Sequence, residues 1–150
     1  MVQKLLRKSL FLPAELDIDD EYYNRGIFQW NISRLWQYID DNRADFIVEV
    51  VLTDDYSSWL SINEAHVDSV DINRPVLLAE VSPGDYSLID GQHRITKALR
   101  NGLSSVPAFK INANIHVDFM TSEKSYLQYL EYWNEKVAAA NKRLLKVVKL

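Results

Sequence analysis

The 150-residue chain reads as an α/β (α+β) domain, and three observations carry that reading. Short runs rich in branched and aromatic residues recur at 46–53, 75–81, 86–89 and 108–112, as strands do. Between and beyond them, apolar residues repeat at helical spacing over 31–43, 92–102 and 122–146. One strand run passes directly into one helix run through Gly91, a residue that tolerates backbone angles others resist.

In chain order, Pro13 ends a basic start, and residues 17–21 form an acidic loop or helix cap. Over 31–43, Ile32, Leu35, Trp36 and Ile39 share one face of an amphipathic helix. Residues 46–53 are Val- and Ile-rich and read as a strand, with a helix left open because short apolar runs are ambiguous. A short strand is expected at 59–62 and a turn or helical piece at 67–70. Residues 75–81 form a second strand, and Pro83-Gly84-Asp85 turns the chain into the strand at 86–89. Ile95, Ala98 and Leu99 then mark a helix with Gly102 at its cap, and 108–112 return to the sheet. The last segment is a long helix capped by Thr121 or Ser122, with Glu123 in its first turn. Tyr126, Leu130, Trp133 and Val137 line one face of it, flanked by Tyr129, as core or as a homodimer contact.

Composition narrows the class. With 47% apolar and 25% charged residues, the chain suits one soluble globular domain with a real core. No apolar run reaches membrane-spanning length and the first residues lack a signal-peptide core, so no membrane partner and a cytoplasmic location are expected. The absence of cysteine excludes disulfides and thiolate chemistry. A net charge of −4 and a pI near 5.3 argue against indiscriminate nucleic-acid binding. Lys4, Arg7 and Lys8 at one end, with Lys142, Arg143, Lys146 and Lys149 at the other, read as solvated faces.

The chemistry concentrates at Asp90-Gly91-Gln92-His93-Arg94. The first amides of a helix lack internal acceptors and its dipole favours an anion, so Gln92, His93 and Arg94 there make a phosphate cradle. The plainer alternative is a solvated helix end. A neutral His93 would donate to a phosphate oxygen, and Arg94 supplies a matching fork. Lys97 lies one turn further along the same face, within reach of the same anion, while Arg100 is assigned to the surface. Asp90 either holds a divalent ion that bridges phosphates or makes a backbone turn. Glu64 and His66 fall on one side if their segment is extended, and a loop salt bridge is the competing reading. His116 has no motif around it and reads as a satisfied loop histidine. The histidines, Glu64 and Asp90 have no metal-ligand spacing.

A strand running into Asp90-Gly91-Gln92-His93-Arg94, then a helix and Gly102-Leu103, resembles the ParB/sulfiredoxin superfamily. Its motif varies there as Gly-Glu-Arg-Arg, Gly-Cys-His-Arg or Asp-Gly-His-His-Arg. The resemblance covers residues 61–112, including Arg74-Pro75-Val76-Leu77-Leu78 and Val106-Pro107-Ala108-Phe109. It implies a single domain with a ParB/sulfiredoxin-like core over 59–113, a small mixed sheet with helices. An N-terminal extension at 1–53 and a C-terminal helix at 121–147 would flank it.

The nearest motif is that of the free serine kinase and ParB-like branch, which implies ATP, ADP or CTP held with Mg²⁺ at residues 90–94. Glu64 would then be the catalytic base, with His66 orienting a small hydroxyl substrate or touching a phosphate, in phosphoryl transfer or NTP hydrolysis. The order of Glu and His differs from the family's Ile-x-His-Glu segment. Gln92 stands where sulfiredoxin has its cysteine, which excludes peroxiredoxin repair. The alternative is a non-catalytic ParB-like switch for a protein or DNA partner in partitioning, plasmid or phage functions. No helix-turn-helix follows the core, which weighs against DNA.

Overall fold

The run Val76-Leu77-Leu78-Ala79 is fully buried on both of its sides, as suits a strand at the centre of a covered sheet. The computed structural model describes residues 2–58 and 60–148, and in it this run opens β4 (Val76–Ser82). β4 pairs antiparallel with β5 (Asp85–Asp90) and parallel with β6 (Ser105–Ile111), and β3 (Glu49–Leu52) pairs antiparallel with β6. The strand order is therefore β3-β6-β4-β5, a mixed sheet of four strands in an α+β fold.

Alternation along β4 divides the core in two. Leu77, Ala79 and Val81 face one side with Ile89, Phe109 and Ile111, under α1 (Ile32–Asp41) and α5 (Glu123–Val148). Val76 and Leu78 face the other with Leu88, Val106 and Ala108, under Ile95 and Ala98 of α3 (Gln92–Arg100). The aromatic stripe of α5 (Tyr126, Tyr129, Leu130, Trp133, Val137) is buried within the chain as core.

Several sequence expectations need correction. A hairpin of β1 (Tyr22–Arg25) and β2 (Phe28–Asn31) precedes α1 and was not expected, because two four-residue strands carry almost no periodicity. Its second strand ends on Asn31, whose side chain accepts from the Arg34 amide at 3.0 Å and starts α1. Over 46–53 only Glu49–Leu52 is strand, between 3-10 turns at Arg43–Asp45 and Thr53–Tyr56. Residues 60–62 form no strand, and Trp59 lies outside the described residues, as does Lys149. The segment after them is not extended. Asn63 accepts from the Ala65 amide at 3.1 Å and caps the short helix α2 (Glu64–Val67). Glu64 and His66 therefore sit on different sides of a helical turn.

The N-terminal segment lies along α5. Asn134 accepts from the Leu5 amide at 2.9 Å and donates to its carbonyl at 3.1 Å. Asn141 does the same for Val2, at 3.1 and 3.0 Å. Seven helical residues rise about 10 Å, which three extended residues also span, so the two amides meet the strap in register. Arg7 pairs with Glu123 at 2.8 Å and Lys8 with Asp118, which neutralises part of the basic start. Among the described residues no helix is long and apolar enough to cross a membrane.

His116 is in the core, on α4 (Ala113–His116), where sequence reading expected a loop. The indole N–H of Trp30 donates to its Nδ1 at 3.0 Å, so the ring proton sits on Nε2 and bonds the Glu80 carbonyl at 2.7 Å. The Tyr129 hydroxyl donates to the same carbonyl at 2.6 Å. Burial pushes the His116 pKa down from 6.5 to about 4. Because the folded value is depressed, the unfolded chain binds more protons as pH falls through that window, and folding loses stability there. Between pH 6.5 and about 4 stability should fall by up to about 1.4 kcal/mol per pH unit, and chemical denaturation between pH 7 and 5 reads the onset. His116→Asn should flatten that slope.

Candidate functional site

β5 delivers Asp90 to the edge of the core, and Gly91 turns the chain into α3 with φ of 109°. A Cβ at Gly91 would lie 2.4 Å from Val76 Cγ1 and 2.7 Å from Val76 Cβ, so both angle and space demand glycine. Among the described residues no side chain caps the helix that follows. Ile95 is the first amide to bond back, to Gly91 O at 2.9 Å, which leaves the amides of Gln92, His93 and Arg94 to the cleft ahead of them.

Asp90 is the node of the site. Its Oδ2 accepts from the Trp36 indole at 2.8 Å and from Arg94 Nη2 at 3.0 Å. The same Nη2 lies 3.3 Å from the Pro75 carbonyl. Arg74 stacks its guanidinium on Trp36, 4.1 Å from the ring centre. One carboxylate thereby joins α1, α3 and the start of β4. The Nε of Arg94 is buried and has no partner among the described residues.

Other polar side chains of α3 hold the segment before β4. Gln92 Oε1 accepts from the Ser61 amide at 3.0 Å, and His93 Nε2 accepts from the Asn63 amide at 2.9 Å. An accepting Nε2 puts the His93 ring proton on Nδ1. Lys97 donates to the carbonyls of Asp68 and Val70 at 2.8 and 2.9 Å. Arg100 clasps Glu64 through two bonds of 2.7 and 2.8 Å, and this bond with the guanidinium lowers the Glu64 pKa.

The amides and Asp90 open on a cleft of about 560 Å³. His66, His93 and Arg94 line it together with Asp20, Tyr22 and Tyr23 of the hairpin region. The His66 and His93 rings stand edge to face, with centres 5.9 Å apart. Asp20 is held by Asn31 Nδ2 at 2.8 Å and by the Asp17 amide at 2.9 Å, and its pKa is lowered chiefly by that amide. Of the expected site residues, the structure brings together Asp90, Gly91, Gln92, His93, Arg94 and His66. Glu64 and Lys97 do not line this cleft. Among the described residues no three His, Asp or Glu side chains form a metal-binding group.

Sequence reasoning missed Trp36 as part of the site, since its spacing marks it only as a core-facing aromatic. An indole N–H at the rim of a core needs an acceptor, and that requirement is the signal that points to a carboxylate nearby. Tyr22, Tyr23 and Asp20 were missed with the hairpin that carries them.

Two substitutions test this geometry by chemical denaturation. Gly91→Ala should cost more than about 2 kcal/mol of stability, through strain and the contact with Val76. Trp36→Phe removes one donor from a charged acceptor and trims the ring that Arg74 stacks on, and should cost at least about 1.5–3 kcal/mol.

No family model, no curated protein and no solved structure matches the chain.

Proposed function

We propose that the chain is a ParB-like protein that binds the phosphates of a nucleotide (ATP, ADP or CTP) at the N-terminus of α3. The observation that carries this reading is the uncapped first turn of α3, whose amides of Gln92, His93 and Arg94 open on the cleft. An anion there meets the positive end of the helix dipole. The Nδ1 proton of His93 and the adjacent His66 ring add donors beside those amides. Arg94 itself is a positioning cation here, since Asp90 and Pro75 already occupy one end of its guanidinium. Asp90 Oδ1 accepts no bond among the described residues, which suits a Mg²⁺ that arrives on the phosphates and needs one or two carboxylates.

The bidentate pair of Glu64 with Arg100, away from the cleft, favours binding without chemistry. On that second reading, nucleotide controls a partner contact and Glu64 anchors a loop. Turnover with Glu64 as base would require the pair with Arg100 to open and the segment before β4 to move.

A thermal-shift panel of ATP, ADP and CTP, with and without Mg²⁺, tests the reading. At 100 times its dissociation constant a ligand stabilises the fold by about 2.7 kcal/mol. His66→Glu, at an exposed position, should leave the fold intact and weaken nucleotide binding at least tenfold by setting a carboxylate against the phosphates. A panel without any shift would overturn the assignment. Under the catalytic alternative, Glu64→Gln should lower turnover about 10²- to 10⁴-fold with binding retained. Under the switch reading no nucleotide is consumed by either protein.

A further inference from the structure

Tyr23 and Gln92 are a shared wall. Beyond them lies a second chamber of about 270 Å³. It draws on three separate parts of the chain, the hairpin, the turn after β3 and the start of β5, which supply Tyr23, Tyr56 and Tyr86. Aromatic faces carry negative potential and attract cations. Two carboxylates, Asp55 and Asp85, line the same chamber. Neither belongs to an ion pair among the described residues, and the one side-chain contact of Asp85 is the Ser82 hydroxyl at 3.4 Å. Arg25 lines the chamber too, yet pairs with neither of them. Lys110 lies 5.5 Å from the centre of the Tyr86 ring without lining the chamber.

The Tyr56 hydroxyl is held above its ordinary pKa first by burial, and then by Asp55 and Asp85 together. An acidic residue from the turn after β3 and one from the start of β5 thus act on a single phenol. Three tyrosines and two carboxylates that belong to no ion pair among the described residues line one chamber, a combination that attracts a small organic cation.

We propose that this chamber binds an alkylammonium group, with Tyr23, Tyr56 and Tyr86 around the cation and Asp55 and Asp85 as counter-ions. The assignment is independent of the nucleotide reading, since it needs no phosphate and no residue of the α3 cleft beyond the shared wall.

Choline is the probe, with 3,3-dimethyl-1-butanol as its neutral isostere and sodium chloride as the ionic-strength control. Amide chemical shifts of the full chain are followed by NMR. Choline should move the signals of residues 55, 56, 85 and 86 saturably, and bind at least tenfold more tightly than the neutral alcohol. The double variant Asp55→Asn with Asp85→Asn, at two exposed positions, should weaken choline at least tenfold. Equal binding of choline and the alcohol, or no saturable shift with choline, overturns the proposal. That comparison is made on the unsubstituted chain and stands whether or not the double variant folds. A chain that binds choline but no nucleotide would keep this site and lose the other, and the reverse result would do the opposite.

Discussion

The carboxylate of Asp90 is the constraint on which the rest of the site depends. A single oxygen takes the indole proton of Trp36 and the guanidinium of Arg94, and so ties together helices that lie on opposite faces of the sheet. Asp90 and Arg94 are partly withdrawn from water at the cleft wall, and their mutual pairing offsets part of that desolvation. Gly91 makes the arrangement possible by allowing α3 to begin within contact of Val76. The end of β5, the start of β4 and the first turn of α3 therefore cannot move independently.

Seen from this node, the polar face of α3 has a divided use. Its side chains reach sideways and grip residues 61–70 through Gln92, His93, Lys97 and Arg100. The amides of its first turn receive no side-chain cap among the described residues. A motif rich in donors thus spends its side chains on architecture and leaves the peptide groups and two imidazoles to face the cleft. Glu80 plays the matching part at the other end of β4. Its carboxylate bonds the amides of Gly84 and Ala113 at 2.9 and 3.2 Å, while its carbonyl receives Tyr129 and His116. β6 stops pairing with β4 at Ala79, which leaves that carbonyl open to side chains.

The parts of the fold legible in the sequence are those where local signals agree. The strand, glycine and helix over residues 85–100 combine branched residues, an unavoidable positive φ and helical spacing, and each points the same way. The long final helix was legible for the same reason, with its aromatic face marking core. The hairpin at 22–31 was not, because its four-residue strands are held by contacts with α1 and the rest of the core and have little periodicity of their own. The roles of Gln92, His93 and Lys97 were legible as chemistry and not as geometry. What they bond depends on where residues 61–70 come to rest, and that is a tertiary outcome. Glu64 shows the same limit: Asn63 turns its segment helical and Arg100 waits for it on the neighbouring helix.

The strap of residues 2–8 along α5 sets an order of events during synthesis. Val2, Leu5 and Lys8 bond Asn141, Asn134 and Tyr126, partners more than a hundred positions further along the chain. During translation residues 2–8 emerge well before the α5 side chains that they bond. Their apolar neighbours Leu6, Leu10 and Leu12 stay largely exposed even in the finished fold. Contacts of such sequence separation are slow to form, because the whole intervening loop must close first. Residues 2–8 are thus made more than a hundred positions before the partners that secure them, and stay a loose, greasy, basic segment until α5 is in place.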